Sequence, residues 1–357
     1  MQTYKKIYNW QLAFLKKVTC CFIAINLFFL SSGCLLASQE EISSVWQDFK
    51  KVFVSDSGRV IDVGNAGISH SEGQGIGMFL SVFFDDKDTF ELIWHWTKNN
   101  LSIRKDGLFA WKWVPDGNTG KVADMNNATD GDIFIAWALI RASEKWNNES
   151  YLKEAIPILA AIRSKLVIKN KELTLLLPGE SGFLREKGII INLSYWIFPA
   201  FHKFYSLFPD QKEWKALEDS GLIILKTVGF GRWKLPPNWL FVSDHLDIPS
   251  DFKPHFGFDA IRIPLYLTWS GINDDNLLKP YRDFWSYFDG AKFLPSWTNL
   301  IDDSVDSYDA PCGIYGIRDL ILKGVVNTCV IDSKNYYSSA LTLLTHIASL
   351  EKKDKEK

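Results

Sequence analysis

The chain has 357 residues, 47% of them hydrophobic and 23% charged, with a formal net charge of −2. That balance fits a folded chain with one large core or two ordinary ones, and it lacks the basic surplus that nucleic-acid binding requires. Aromatics are abundant, at 15 Trp, 12 Tyr and 25 Phe. Exposed Trp and Tyr suit flat amphipathic ligands such as sugars, which offer C–H faces to a ring and hydroxyls to polar tips.

Residues 1–38 read as an export signal. Lys5, Lys6, Lys16 and Lys17 form a basic region around the start of an apolar run, Val18 to Leu30, broken only by Thr19 and Asn26. The run is shorter than the roughly 20 apolar residues of a membrane span. L-S-S-G-C, ending at Cys34, resembles a bacterial lipoprotein cleavage box, in which the cysteine carries the lipid. Cleavage near Ala37 or Ser38 and an uncleaved anchor are the alternatives. All three place the remaining chain outside the cytoplasm, with membrane attachment only through this N-terminal segment or a lipidated Cys34. Cys20 and Cys21 go with the leader, leaving Cys312 and Cys329 in the body. Two cysteines can form one bridge in an oxidising compartment, but spacing does not decide it.

From Ile42 the pattern alternates between helix-length apolar segments and polar loops rich in Gly and Pro. Helices are expected near Ile42–Val54, Gly73–Phe84, Thr89–Asn100, Asp132–Trp146, Tyr151–Val167, Tyr195–Phe208, Trp214–Val228, Ala260–Trp269, Leu277–Tyr287, Gly313–Leu322 and Tyr336–Leu350. Strand-like runs are few: Glu172–Leu177, with Gly188–Ile191 beside it. The absence of β-α-β alternation argues against a doubly wound sheet. No low-complexity linker interrupts the body, so residues 39–350 read as a single domain and 351–357 as a solvated, fraying charged tail. About a dozen helices in antiparallel pairs can close into a toroid, although periodicity only permits closure.

Three acidic sites stand out. In S-E-G-Q-G-I-G-M, Ser71 and Gln74 have capping-box spacing, which sets Glu72 in the first turn of a helix. Glycines 73, 75 and 77 each cost a helix roughly 1 kcal/mol relative to Ala, so a ligand or a neighbouring helix must come close. A general acid at neutral pH needs burial or a second carboxylate beside it; otherwise Glu72 merely offsets the helix dipole. In N-N-A-T-D-G-D-I-F-I-A-W, Thr129 and Asp132 again have capping-box spacing. Asp130 and Asp132 lie about 200° apart around a helix, so if one meets a ligand the other caps or supports. In F-G-F-D-A-I-R-I-P, Asp259 either N-caps a helix and makes an ordinary i, i+3 ion pair with Arg262, or is a carboxylate that the arginine holds ionised to deprotonate water. No G-x-S-x-G, no H-E-x-x-H and no metal-spaced histidines accompany them, so neither a metal nor a cofactor is expected.

Together these segments resemble glycoside hydrolase family 8, and within it the cellulases encoded beside bacterial cellulose synthases. Ala128 to Trp146 follows the family signature and its helix, and Ser71 to Met78 looks like the catalytic-acid motif. T-F-E-L-I-W-H-W-T-K-N-N-L at Thr89, F-A-W-K-W at Phe109, L-L-L-P-G at Leu175, I-N-L-S-Y-W at Ile191, P-P-N-W at Pro236 and F-D-A-I-R at Phe258 follow in the expected order. The resemblance implies an all-α (α/α)6 toroid of helical hairpins with a few short strands in loops. It implies inverting, endo-acting hydrolysis of a β-1,4-glucan, with association with a cellulose synthase complex as a further implication. Glu72 takes the place of the general acid and Asp259 that of the base. Asp130 falls on the aspartate that contacts the sugar at the cleavage point, and Arg262 on the arginine next to the base. Trp111, Tyr195 and Trp113 fall on or beside aromatic positions of the cleft, and Asn192 joins the substrate-binding set. Leu193 stands where the cellulose-operon enzymes usually have proline, which leaves Asn192 and Tyr195 less firmly placed. The alternatives are the same fold acting on xylan, mixed-linkage glucan or chitosan, and a non-catalytic glycan-binding component of an export system.

Overall fold

The computed structural model describes residues 41–117, 119–326 and 329–355. The export-signal reading, including Cys20, Cys21 and Cys34, lies outside them. Eleven α-helices occur among the described residues: α1 (residues 41–53), α2 (Ser71–Phe83), α3 (Lys87–Asn100), α4 (Thr129–Lys145), α5 (Glu149–Lys165), α6 (Phe198–Leu207), α7 (Glu213–Thr227), α8 (Arg262–Trp269), α9 (Asp275–Tyr287), α10 (Cys312–Lys323) and α11 (Tyr336–Lys355). Each matches a helix expected from periodicity, with ends shifted by a few residues.

Residues 45–357 form one compact unit. Within it α2 packs on α4, α4 on α6, α6 on α8, and α8 on α10 and α11, while α11 returns to α2. The series therefore closes, as an (α/α)6 toroid requires. Helices on the inside are apolar nearly all round: α4 is buried continuously from Thr129 to Ile140 and α8 along its whole length. Outer helices bury a stripe, as α5 does with Tyr151, Ala155, Ile158, Leu159 and Ile162. Cys312, at the start of α10, is disulfide-bonded to Cys329, 17 residues further on.

Three expectations change. The two strand-like runs do not share a sheet. Leu173–Leu176 pairs with Val167–Asn170, whereas Gly188–Ile191 pairs with Leu184–Arg185 on one side and Leu240–Val242 on the other. A hairpin of Lys112–Asp116 with Thr119–Asp124 was not expected, although the Asp116-Gly117 step is a recognisable turn signal. Glu351 does not begin a fraying tail: α11 runs on to Lys355, and Glu351 accepts hydrogen bonds from Arg141 Nη2 at 2.6 Å and Trp269 Nε1 at 2.7 Å.

Neither capping box forms. His70 is the N-cap of α2, its Nδ1 accepting the Gly73 N–H at 3.0 Å, and Gln74 Oε1 instead accepts the Val60 N–H at 2.6 Å. Thr129 is the first residue of α4, and its hydroxyl donates to the Leu177 carbonyl at 2.6 Å. Buried loop backbone nearby offers Gln74 and Thr129 partners outside their own helices. This competition is invisible to local spacing.

Candidate active site

The starts of α2, α4 and α8 converge on a cleft of about 740 Å³ lined by, among others, Glu72, Trp111, Asp130, Tyr195, Asp259 and Arg262. Glycine brings the first two together. A Cβ on Gly131 would lie 2.3 Å from Ser71 Oγ and 2.6 Å from the Glu72 nitrogen, and one on Gly75 would lie 2.7 Å from Phe134 Cβ. The middle residue of D-G-D therefore lets the α4 start press against the α2 start, which places Asp130 next to Glu72. The glycine cluster serves helix–helix approach.

Asp130 and Asp132 part ways as the helix geometry requires. Asp130 lines the cleft. Asp132 turns into the core, accepting the Phe109 N–H at 2.9 Å and the Asn127 side-chain amide at 2.8 Å. Phe109 lies two residues before Trp111, so Asp132 ties the segment that carries Trp111 to α4. Short antiparallel pairing does the rest: His70 faces Lys112, and the Ser71 N–H donates to the Trp111 carbonyl at 3.0 Å. Trp111 thereby stands on the cleft wall near Glu72.

Arg262 organises the carboxylates. Its Nη1 donates to Glu72 and, at 3.2 Å, to Asp130; its Nη2 donates to Asp259 at 3.3 Å and to Ser194 Oγ at 2.9 Å. Helix α8 begins only at Arg262, so Asp259 precedes the helix and does not cap it. The Asp259 backbone is placed by Asn238, whose side-chain oxygen accepts the N–H groups of Gly257 and Ala260 at 3.0 Å each.

Charge in this pocket is finely opposed. Burial disfavours the Arg262 guanidinium, but Glu72 and its neighbours outweigh this and hold it charged, well above its ordinary value. Burial, reinforced by Glu72, pushes Asp130 up to about 7 against the pull of Arg262. Burial likewise raises Asp259; Arg262 opposes the shift, Glu72 adds to it and Asn192 opposes it.

The expected site residues thus divide. Glu72, Asp130, Asp259, Arg262, Trp111 and Tyr195 come together on the cleft. Asn192 lies behind it, fully buried, its Oδ1 accepting from the Ser194 N–H and hydroxyl at 3.0 and 2.7 Å, and it favours the charged form of Asp259. Trp113 does not reach the cleft. Trp111 lies just before the strand, so strand alternation does not carry over to Trp113, which is 8% exposed and packs against Trp96 at 5.5 Å and the Arg59 guanidinium at 4.6 Å. Sequence reasoning missed Asp62, His70, Phe258, Tyr336 and Tyr337, which also line the cleft. Tyr336 and Tyr337 open the last helix, far along the chain from any acidic motif. His70 did carry a signal, because it directly precedes Ser71-Glu72.

The model for glycosyl hydrolases family 8 matches residues 22–351. The chain belongs to that family. A probable endoglucanase of Novacetimonas hansenii is 36% identical over 317 residues, covering 87% of this chain and 92% of its own. An endoglucanase of Cellulomonas uda is 33% identical, covering 82% and 81%. Among solved structures, the family 8 endoglucanase Cel10 from Klebsiella pneumoniae superposes with a TM-score of 0.82 at 33% identity, covering 86% of this chain and 99% of that one. The endo-β-1,4-glucanase CMCax from Acetobacter xylinum gives 0.79 at 34% identity, covering 87% and 98%. This family 8 chain is therefore a glycoside hydrolase with the fold of those endoglucanases.

Proposed function

We propose that this glycoside hydrolase is an endo-β-1,4-glucanase acting with inversion, Glu72 serving as general acid and Asp259 as general base. The observation that carries the reading is the placement of both carboxyls on one cleft and on different nitrogens of the same Arg262 guanidinium. In an inverting glycosidase one carboxyl protonates the leaving oxygen while the other takes a proton from water on the opposite face of the ring. Asp259 is suited to the second task, because its raised pKa makes it a stronger base and Arg262 and Asn192 still favour its ionised form. Asp130, titrating at about 7, can both donate to and accept from a sugar hydroxyl beside the acid. Trp111 and Tyr195 offer the rings that a pyranose needs. A β-1,4-glucan is supported as substrate by the names of the relatives at 33–36% identity.

Export belongs to this proposal. The leader-like N-terminus supports it, and so does the Cys312–Cys329 bridge, a bond that persists in oxidising compartments. Association with a cellulose synthase is included on the resemblance alone. Purified protein should release reducing ends from soluble carboxymethyl-cellulose, with a rapid fall in viscosity and the α-anomer first in NMR. Release of the β-anomer would sink inversion. Activity on xylan or chitosan but not on glucan would redirect the specificity.

A further inference from the structure

His70 stands between two carboxylates at one end of the cleft. Its Nε2 is 3.7 Å from Asp62 Oδ2 and its Nδ1 is 3.8 Å from Glu72 Oε2, with all three side chains less than one-fifth exposed. Because Nδ1 accepts the Gly73 N–H at 3.0 Å, the neutral ring carries its proton on Nε2, facing Asp62. A second proton must go to Nδ1, the nitrogen nearer Glu72. The ring thus has two states, a helix cap when neutral and, when charged, an imidazolium whose second proton replaces the Gly73 contact on the nitrogen 3.8 Å from Glu72.

We propose that His70 is a positioning residue that returns the proton to Glu72 between turnovers. The inference rests on the reading of Glu72 as general acid. Each inverting cleavage leaves Glu72 as a carboxylate and Asp259 protonated. Asp259 releases its proton to solvent. On the other side the Nδ1–H bond of the imidazolium breaks, an O–H bond forms on Glu72, and the neutral ring takes up from solvent, at Nδ1, a proton equivalent to the one Asp259 released, so none is gained or lost over the cycle. Rotation of the Glu72 carboxyl closes the gap to hydrogen-bond range. The two Glu72 oxygens are divided accordingly: Oε1 accepts from Arg262 Nη1, which also donates to Asp130, and Oε2 is the one nearer His70.

The surroundings favour the charged ring. Burial opposes it, but the hydrogen bond to Asp62 and the charges of Glu72, Asp62 and Asp130 more than compensate, so His70 titrates above its ordinary value. Tyr336 meets the ring edge-on, with centroids 5.7 Å apart, and Lys334 lines the same part of the cleft.

The test compares wild type, His70→Asn and His70→Gly on soluble carboxymethyl-cellulose. Asn and Gly are both accepted N-caps, so each retains the helix start and loses the titrating ring. General acid–base groups contribute roughly 10²–10⁴-fold. Losing the resupply path, with the acid intact, should lower kcat of His70→Asn about tenfold near neutral pH while KM changes less than about twofold. The deficit should shrink as pH falls and solvent supplies protons directly. Added imidazole should restore His70→Gly in proportion to its imidazolium fraction. In the wild-type protein, ring ¹⁵N NMR should show His70 losing its second proton along the alkaline limb of kcat. A constant kcat ratio across pH without imidazole rescue, or a ring neutral throughout that limb, overturns the relay and leaves His70 a helix cap. A wild-type enzyme that cleaves no glucan would instead defeat the functional reading.

Discussion

Asp132 provides a test of the fold that is separate from catalysis. Burial raises its carboxyl from 3.8 to about 8, despite the hydrogen bonds from the Phe109 N–H and the Asn127 amide. A carboxyl whose folded-state pKa exceeds its unfolded value contributes stability that is complete below the unfolded value, near 4, and is lost as pH rises through about 8. One pKa unit corresponds to about 1.4 kcal/mol, which sets a ceiling of roughly 6 kcal/mol on the penalty once the group ionises. Relaxation around a buried charge reduces such figures. Asp132→Asn removes the charge and keeps an acceptor for Phe109, but it sets an amide against the Asn127 amide. Asn127 cannot simply flip, because its Oδ1 already accepts the Glu180 N–H at 2.7 Å. That lost bond costs about 1–3 kcal/mol at any pH. The variant should therefore be less stable than wild type near pH 4 and equal to it or more stable, by about 1–3 kcal/mol, near pH 8. Urea unfolding at several pH values measures this. Taking the difference between the two proteins cancels the titration of groups that do not act on Asp132, such as Asp259 and His70. A stability difference that stays constant between those pH values would refute the assignment of a buried, neutral Asp132.

Other outcomes follow from the same geometry. Glu72→Gln and Asp259→Asn should each reduce hydrolysis of carboxymethyl-cellulose by at least about 10²-fold, with the circular dichroism spectrum unchanged; full activity in either purified variant defeats its assigned role. Arg262→Met leaves Glu72, Asp130 and Asp259 crowded without a cation, and breaking such a buried network by removing one partner costs about 3–5 kcal/mol, readable in denaturant midpoints. The paired Cys312→Ser and Cys329→Ser substitutions open a loop set by a separation of 17 residues, which should lower stability by about 3 kcal/mol. The same loss should appear in wild type under reducing conditions and be absent in the variant.

How much of this was legible in sequence depended on the range of the interaction. All eleven helices could be read, because each needs only an apolar stripe of its own. The convergence of Glu72, Asp130 and Asp259 rests on contacts between helices far apart in the chain. The resemblance to family 8 supplied that convergence; periodicity did not. Trp113 shows the limit from the other side. It sits two residues from Trp111, but Trp111 precedes the strand that begins at Lys112, so alternation does not link the two, and Gly120 leaves room for the Trp113 ring under the hairpin.

The failed capping boxes make the same point and explain something about the site. Had Ser71 and Thr129 capped their helices, the α2 and α4 starts would each be self-contained. Instead His70 caps α2 from the cleft side, and Thr129 bonds outward to the Leu177 carbonyl. Asp130 and Asp132 occupy the first turn of α4 and Glu72 that of α2, where the helix dipole favours a negative charge. Burial opposes it for both aspartates, and among the described residues lining the cleft Arg262 is the cation that offsets Glu72, Asp130 and Asp259 together. Burial is the main force raising Asp130 and Asp259, and the charge of Glu72 adds to it for both. Arg262 pulls the other way on each, so that Asp130 settles at about 7 while Asp259 stays raised. An acid–base site needs carboxyls that hold protons near neutral pH, and Gly75 and Gly131, by letting α2 and α4 approach, bring the Glu72 charge to the buried Asp130.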